Sequence, residues 1–202
     1  MALHKPVAFG PLSRKSQFLT SVGQQEQVLA SQFNIHNRPA RAVAAMPKEQ
    51  FSSRLASIET AQSALIARSM DYHTATHISA HKHSRTQLLF PTIGMVSVST
   101  TDGHWLVPTG HALWIPAGIV HAVDMISNVQ MHSVYVLADA IPNLPGHLHV
   151  ATLTPLLRQL VLEAEGFDDD TPAMRSHHIV GAIFQEMLCL QELPLQLPLP
   201  TS

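Results

Sequence analysis

Three histidines and one glutamine carry the spacing best suited to metal chemistry. In His81-Lys82-His83 the i, i+2 separation puts both imidazoles on one face of a strand, and Gln87 shares their parity. A second element, Gly110-His-Ala-Leu-Trp-Ile-Pro116-Ala-Gly118-Ile-Val-His121, uses Pro and Gly to build a tight turn that delivers His121 at the start of a strand. If the two strands neighbour each other in a barrel, three imidazoles and one amide converge. By ligand softness such a set suits Zn, Ni, Cu or Fe. An HxH pair alone arises easily in a chain with 14 histidines, so the weight falls on the agreement of two separate spacings.

These residues need strands to hold them, and the sequence supplies a run of them. TQLLF (86–90), MVSVST (95–100), HWLV (104–107), ALWIP (112–116), 119–125 and VQMHSVYVL (129–137) alternate with Thr101-Asp102-Gly103, Thr109-Gly110, Ala117-Gly118 and Ser127-Asn128. Turn signals about every ten residues predict a mainly β sandwich or barrel. Two helices follow. Thr154-Pro155 forms an N-cap and first-turn pair ahead of Leu156, Leu157, Leu160 and Val161, and Thr171-Pro172 repeats the device ahead of Ile179, Val180, Ile183, Phe184, Met187 and Leu188.

The ends of the chain read differently. Residues 1–70 hold eight basic and three acidic side chains, and 71–202 hold four basic and eleven acidic ones together with 12 of the histidines. The expected organisation is a basic, mostly disordered leader over 1–64, a barrel over 65–140, helices over 150–193 and a Pro-rich tail over 194–202. Within the leader, Phe51, Leu55, Ile58 and Leu65 share one face of a helix over 48–66, either a docking helix or a segment that folds only on contact.

Composition removes several classes. A net charge of −2 opposes a wholly basic nucleic-acid binder. One cysteine, Cys189, rules out internal disulfides and cysteine zinc clusters, and its apolar neighbours predict a buried thiol. The first 16 residues lack the apolar core of a secretory signal, and no stretch approaches the ~20 apolar residues of a membrane span. A cytoplasmic protein is expected.

The two histidine elements resemble the two motifs of the cupin superfamily. The first runs Gly-x5-His-x-His-x3–4-Glu-x6-Gly, with Ala75 here at the first Gly, His81 and His83 matching, Gln87 at the Glu and Gly94 at the last Gly. The second runs Gly-x5-Pro-x-Gly-x2-His-x3-Asn, matched by Gly110, Pro116, Gly118 and His121, with Met125 at the Asn. The wording around them, with LTPLLRQLVLEA and LPLQLPLP, resembles the N-terminal cupin sensor domain of AraC-family transcriptional regulators over about residues 65–200.

That resemblance implies a cupin-like (RmlC-type) β-barrel or jelly roll, two C-terminal α-helices and an N-terminal extension. It also implies a sensor that binds a small-molecule effector and forms a homodimer, or a heterodimer with a full-length regulator. In the family the Pro-rich segment leads to two helix-turn-helix units. The expectation here is a sensor truncated before them, or a gene fragment, with no sequence-specific DNA binding by this chain alone. The competing expectation is a metal-dependent cupin enzyme, a dioxygenase or isomerase, although Gln87 in place of Glu removes one negative charge from the metal set.

Four strand residues, Trp105, Trp114, His132 and Tyr135, are candidates to line a ligand cavity, with ordinary core packing as the alternative for each. His73 and His77 share the motif's parity, but a turn expected at Ser79-Ala80 breaks their register. His177 and His178 fall on adjacent helix positions that face apart.

Overall fold

The run TQLLF is apolar at consecutive positions, as a strand must be when both its faces are covered. In the computed structural model it lies within β4 (Thr86–Ile93), and six of that strand's residues in succession are buried. The structure describes residues 44–45, 48–167 and 171–193. The remainder of the leader, the acidic residues 168–170 and the tail 194–202 lie outside the described residues.

Eleven strands are described: β1 (Ala44–Ala45), β2 (Leu65–Tyr72), β3 (Thr76–His81), β4, β5 (Met95–Ser99), β6 (His104–Pro108), β7 (His111–Ile115), β8 (His121–Met125), β9 (Val129–Val136), β10 (His149–Thr152) and β11 (Glu192–Leu193). They form two sheets, ordered β1-β3-β8-β5-β6 and β11-β10-β7-β4-β9-β2. All pairings are antiparallel except β1 with β3. The helices are α1 (Lys48–Thr60), α2 (Pro155–Ala164) and α3 (Ala173–Leu188). The fold is mainly β, with two C-terminal helices, as expected.

Strand alternation sorts the six-stranded sheet into two apolar layers. Leu89, Leu113, Ile115 and Met131 face Val96, Val98, Val107 and Val123 of the other sheet and fill the interior of the sandwich. Leu88, Phe90, Ala112, Trp114, Val134 and Val136 point the other way, against Leu157, Val161, Ile183 and Met187 of α2 and α3. Each fully buried side chain of this size contributes about 1.5–3 kcal/mol relative to exposure. The helices are therefore integral to the sheet they cover.

Several local readings are corrected. The helix expected over 48–66 ends at Thr60, and Leu65 opens β2 rather than extending the helical stripe. The cause is Arg85, whose buried guanidinium donates to the carbonyls of Ile58, Ala61 and Ser63 and closes the helix. The sheet also outruns residue 140, because β10 pairs with β7 and β11 with β10. Ser79-Ala80 is not a turn: both residues lie in β3, where the pairing with β8 shifts register between Ile78 and His81.

Thr154 caps α2 as expected, its hydroxyl accepting from the Leu157 amide at 3.0 Å. The device does not repeat at α3, where Pro172 occupies the cap position without a side-chain cap bond. Cys189 is exposed, not buried. It stands one residue past the end of α3, off the Ile183 and Met187 face that enters the core.

Candidate functional site

The two histidine elements meet through paired backbone. His81 ends β3 and lies opposite His121, the first residue of β8. His83 follows in the loop to β4, and its carbonyl accepts the Gly118 amide at 2.8 Å. Gly118 has φ +82, the left-handed conformation that lets the chain turn from Pro116 into β8. The imidazoles therefore come from two strand ends and a loop, and Gln87 from the next strand, rather than from one continuous strand face.

The result is a compact trio. Ring centroids are 4.3 Å apart for His81 and His121, 4.9 Å for His81 and His83, and 5.6 Å for His83 and His121. One nitrogen from each lies within 4.8 Å of the others. His81 directs Nδ1 to the Ser79 carbonyl at 2.8 Å, and His121 directs Nδ1 to the Ile119 carbonyl at 3.0 Å. A carbonyl accepts only an N–H, so each Nδ1 carries the proton and each Nε2 keeps its lone pair.

Buried polar atoms without partners mark the same place. Among the described residues they are both ring nitrogens of His83, whose Nδ1 stands 3.7 Å from Glu59 Oε1, beyond hydrogen-bond distance, with Nε2 of His121 and Oε1 of Gln87. Gln87 spends its amide N–H groups on Ser133 Oγ at 3.1 Å and Tyr135 Oη at 3.3 Å, which leaves the oxygen unbonded. Leaving one such group unpaired costs about 1–3 kcal/mol, so four together describe a site built for an occupant.

Electrostatics agree. Burial pushes the pKa of His83 down from 6.5 to about 4, reinforced by the neighbouring His81 and His121 imidazoles and opposed by Glu59. Burial likewise lowers His121 to about 4, against the Ile119 carbonyl, and lowers His81 against the Ser79 carbonyl. Three neutral imidazoles at pH 7 are the form that ligates a metal. The three imidazoles make a neutral donor set that fits a divalent transition metal and suits hard, carboxylate-seeking cations poorly, and the unpartnered Gln87 Oε1 lines the same cavity.

The trio opens into a cavity of about 270 Å³. Ile78, Leu89, Val123 and Met131 give it apolar walls, while Gln87, Ser133 and Tyr135 add polar groups. Tyr135 is buried, and its hydroxyl is pushed up to about 12, chiefly by burial. Phe51, Arg54, Leu55 and Ile58 of α1 complete the wall, the Phe51 ring standing edge-on to His81 at 5.0 Å.

Of the four candidate lining residues, Tyr135 alone borders this cavity. Trp105 packs in the sandwich interior away from it. Trp114 has the opposite parity and lies under the helices, its indole N–H donating to the Pro145 carbonyl at 2.9 Å. His132 is also on that side, with Nδ1 2.7 Å from Glu165 Oε1 and Nε2 2.8 Å from Thr92 Oγ1, so it ties β9 to the end of α2.

Sequence reasoning missed Arg54, Arg68 and Ser133; it placed Phe51, Leu55 and Ile58 on one helix face, as a docking helix or a segment that folds on contact, without assigning that face to the cavity. It also missed a second group, exposed His147 and Glu192 with buried His149, which joins β11 to the segment before β10 through a 3.0 Å contact between His147 Nε2 and Glu192 Oε2. Among the described residues no helix is long and apolar enough to cross a membrane.

Comparison with known proteins adds a family. Over 123 residues the chain is 25% identical to the HTH-type transcriptional regulator NimR of Escherichia coli strain K12, a match covering 60% of this chain and 44% of the regulator. The chain thus matches less than half the length of that relative. A cupin superfamily protein from Desulfitobacterium hafniense is similar over 38% of this chain and 72% of its own, at 17% identity and a TM-score of 0.36. A Cupin 2 barrel domain protein from Leptotrichia buccalis is similar over 38% of each chain, at 23% identity and a TM-score of 0.36. Residues 63–178, more than half of the chain, match the AraC-like ligand binding domain. That stretch carries all three imidazoles and Gln87, and by it the chain belongs to the family of AraC-like ligand binding domains.

Proposed function

We propose that this chain is the effector-sensing part of an AraC-type transcriptional regulator and that its cavity holds a divalent transition metal beside a small-molecule effector. The observation that carries the reading is the joining of three neutral imidazoles and the unpartnered Gln87 oxygen to an apolar-walled cavity of about 270 Å³. His81, His83, His121 and Gln87 would hold the metal, Zn, Ni, Cu or Fe, and it would supply Lewis-acid chemistry there.

The remaining residues position the effector. Ser133 and Tyr135 fix the Gln87 amide, and the apolar walls exclude water from one side of the bound molecule. α1 crosses from the leader to complete the wall, so occupancy changes how firmly that helix is held. An effector that favours one arrangement of α1 tenfold shifts the equilibrium between arrangements by about 1.4 kcal/mol. In this reading the protein works in the cytoplasm as a homodimer or paired with a full-length regulator.

Elemental analysis of the natively purified protein tests the metal, with His81→Ala and His121→Ala as companions. About one equivalent in the parent and none in either variant is expected. Turnover of a substrate by the Fe-, Ni- or Zn-loaded protein would replace the sensor reading with that of a cupin enzyme.

A further inference from the structure

The cavity wall carries two positive charges that the metal set does not use. Arg54 lies on α1 and Arg68 on β2, and both side chains line the same cavity as the imidazoles. Strand parity explains Arg68: it shares a face with Ile66, Met70 and Tyr72, while Leu65 and Ala67 turn the other way into the core beneath the helices.

Neither guanidinium is ion-paired among the described residues. Arg68 donates to its neighbour's carbonyl, Ala67 O, at 3.0 Å. Arg54 lies against the Met70 sulfur and the Tyr72 hydroxyl. Among the described residues no Asp or Glu lines the cavity. Glu59, the carboxylate at its edge, is taken by the Ser84 amide at 3.1 Å and stands 3.7 Å from His83 Nδ1. The field of both arginines reaches the buried Tyr135 hydroxyl, where it opposes the effect of burial.

Two guanidiniums, that of Arg68 exposed and that of Arg54 partly buried, together with three neutral imidazoles and an apolar wall attract a particular kind of molecule. We infer that the effector is a small carboxylate with an apolar body, its carboxylate held between Arg54 and Arg68 and its body lying against Phe51, Ile78 and Met131. This rests on the reading of the cavity as the effector site. A carboxylate accepts two N–H bonds from one guanidinium in plane, and its remaining lone pairs accept from a second. Because Arg54 belongs to α1 and Arg68 to β2, such an effector bridges the leader helix to the barrel. Arg54 and Arg68 are then the specificity-determining residues of the site.

The test titrates the full chain with linear carboxylates from acetate to octanoate and with phenylacetate, each paired with its neutral amide. Binding is followed by calorimetry and by thermal unfolding, with and without a chelator. At least one carboxylate is expected to bind tenfold or more tighter than its amide. That preference should vanish in Arg54→Gln/Arg68→Gln, survive in part in Arg54→Lys, and stay intact in Arg158→Gln, an exposed control on α2. Unfolding midpoints of the free variants show that each is folded.

Equal binding of acid and amide would overturn the inference while leaving the cavity a small-molecule site. Carboxylate binding that persists in the double variant but disappears with the chelator would overturn it in favour of the metal as anchor. Silence from every carboxylate and every amide would overturn both this inference and the small-molecule reading beneath it.

Discussion

The carbonyl oxygen of His83 accepts the amide of Gly118 at 2.8 Å, so the two histidine elements are bonded to each other through their backbones. His121 follows Gly118 by three residues, and its ring sits 5.6 Å from that of His83. The positions of the ligands therefore depend on a turn that none of them occupies.

Replacing Gly118 by Ala tests that dependence. A Cβ there meets nothing within 4 Å, so the penalty is conformational: φ +82 costs a side chain about 1–2 kcal/mol. Denaturant unfolding should show a loss of that size, accompanied by weaker zinc binding. Gly94→Ala should be far worse, because its Cβ would lie 2.1 Å from the Asn128 carbonyl oxygen. Equal losses at the two sites would contradict the steric difference.

Ala75 gives the opposite expectation. It adopts φ +62, a left-handed conformation, at the position where the cupin motif has glycine. Ala75→Gly relieves that strain while keeping the backbone bond from residue 75 N to Met125 O at 2.9 Å. The unfolding midpoint should rise, by an amount equivalent to about 1 kcal/mol.

Gln87→Glu should raise zinc affinity at least tenfold in competition with a chromophoric chelator. The substitution supplies an anionic oxygen where the amide oxygen stands unpartnered, and Ser133 and Tyr135 can turn their hydroxyls to donate to it. The metal-free variant should be less stable than the parent, because it buries a carboxylate beside the Ser133 and Tyr135 hydroxyls with no ion-pair partner among the described residues. Unchanged zinc affinity would place Gln87 outside the metal set.

The depressed histidines set an acid limit on the metal-free protein. His83 and His121 titrate at about 4 when folded and near 6.5 when unfolded. Above pH 6.5 neither state binds these protons, so stability is flat with respect to them. As pH falls from 6.5 towards 4 only the unfolded chain takes them up, and stability declines through that window. Bound zinc should delay the decline, since it holds the imidazoles neutral. Urea midpoints measured from pH 8 to 4, with and without zinc, check both statements.

Arg85→Met should loosen α1. Arg85 is 1% exposed and donates from Nε, Nη1 and Nη2 to the carbonyls of Ile58, Ser63 and Ala61 at 3.1, 2.8 and 2.5 Å. Methionine leaves those carbonyls unanswered at a helix end, at a cost of about 2–3 kcal/mol. Limited proteolysis should then cut within 48–64 sooner than in the parent. Equal cleavage rates would show that Phe51, Ile58 and Glu59 hold the helix without it.

Local pattern reveals strands well and reveals much less about which face of a strand meets what. The metal trio was legible because HxH and Gly-x5-Pro-x-Gly-x2-His encode backbone turns as well as ligands. Trp114 and His132 carry no mark of facing α2 and α3 instead of the cavity, since a sheet covered on both sides is apolar on both sides. The break at Ser79-Ala80 was visible as an irregularity, but a register shift and a turn look alike without the partner strand. Arg68 did leave a signal, a charge on the same parity as Ile66, Met70 and Tyr72. Reading it required knowing that β2 begins at Leu65.

The family match begins at residue 63, and α1 ends at Thr60. The barrel common to the family thus carries the imidazoles, while Phe51, Arg54, Leu55 and Ile58 come from outside it. The proposed metal ligands lie wholly within the matched stretch, whereas the wall proposed to meet the effector is shared, Arg68 and Met131 coming from inside it and Phe51 and Arg54 from outside. Exchanging residues 51–58 should retune which molecules are admitted without rebuilding the receptacle, as a lock is rekeyed by changing its pins and keeping its case.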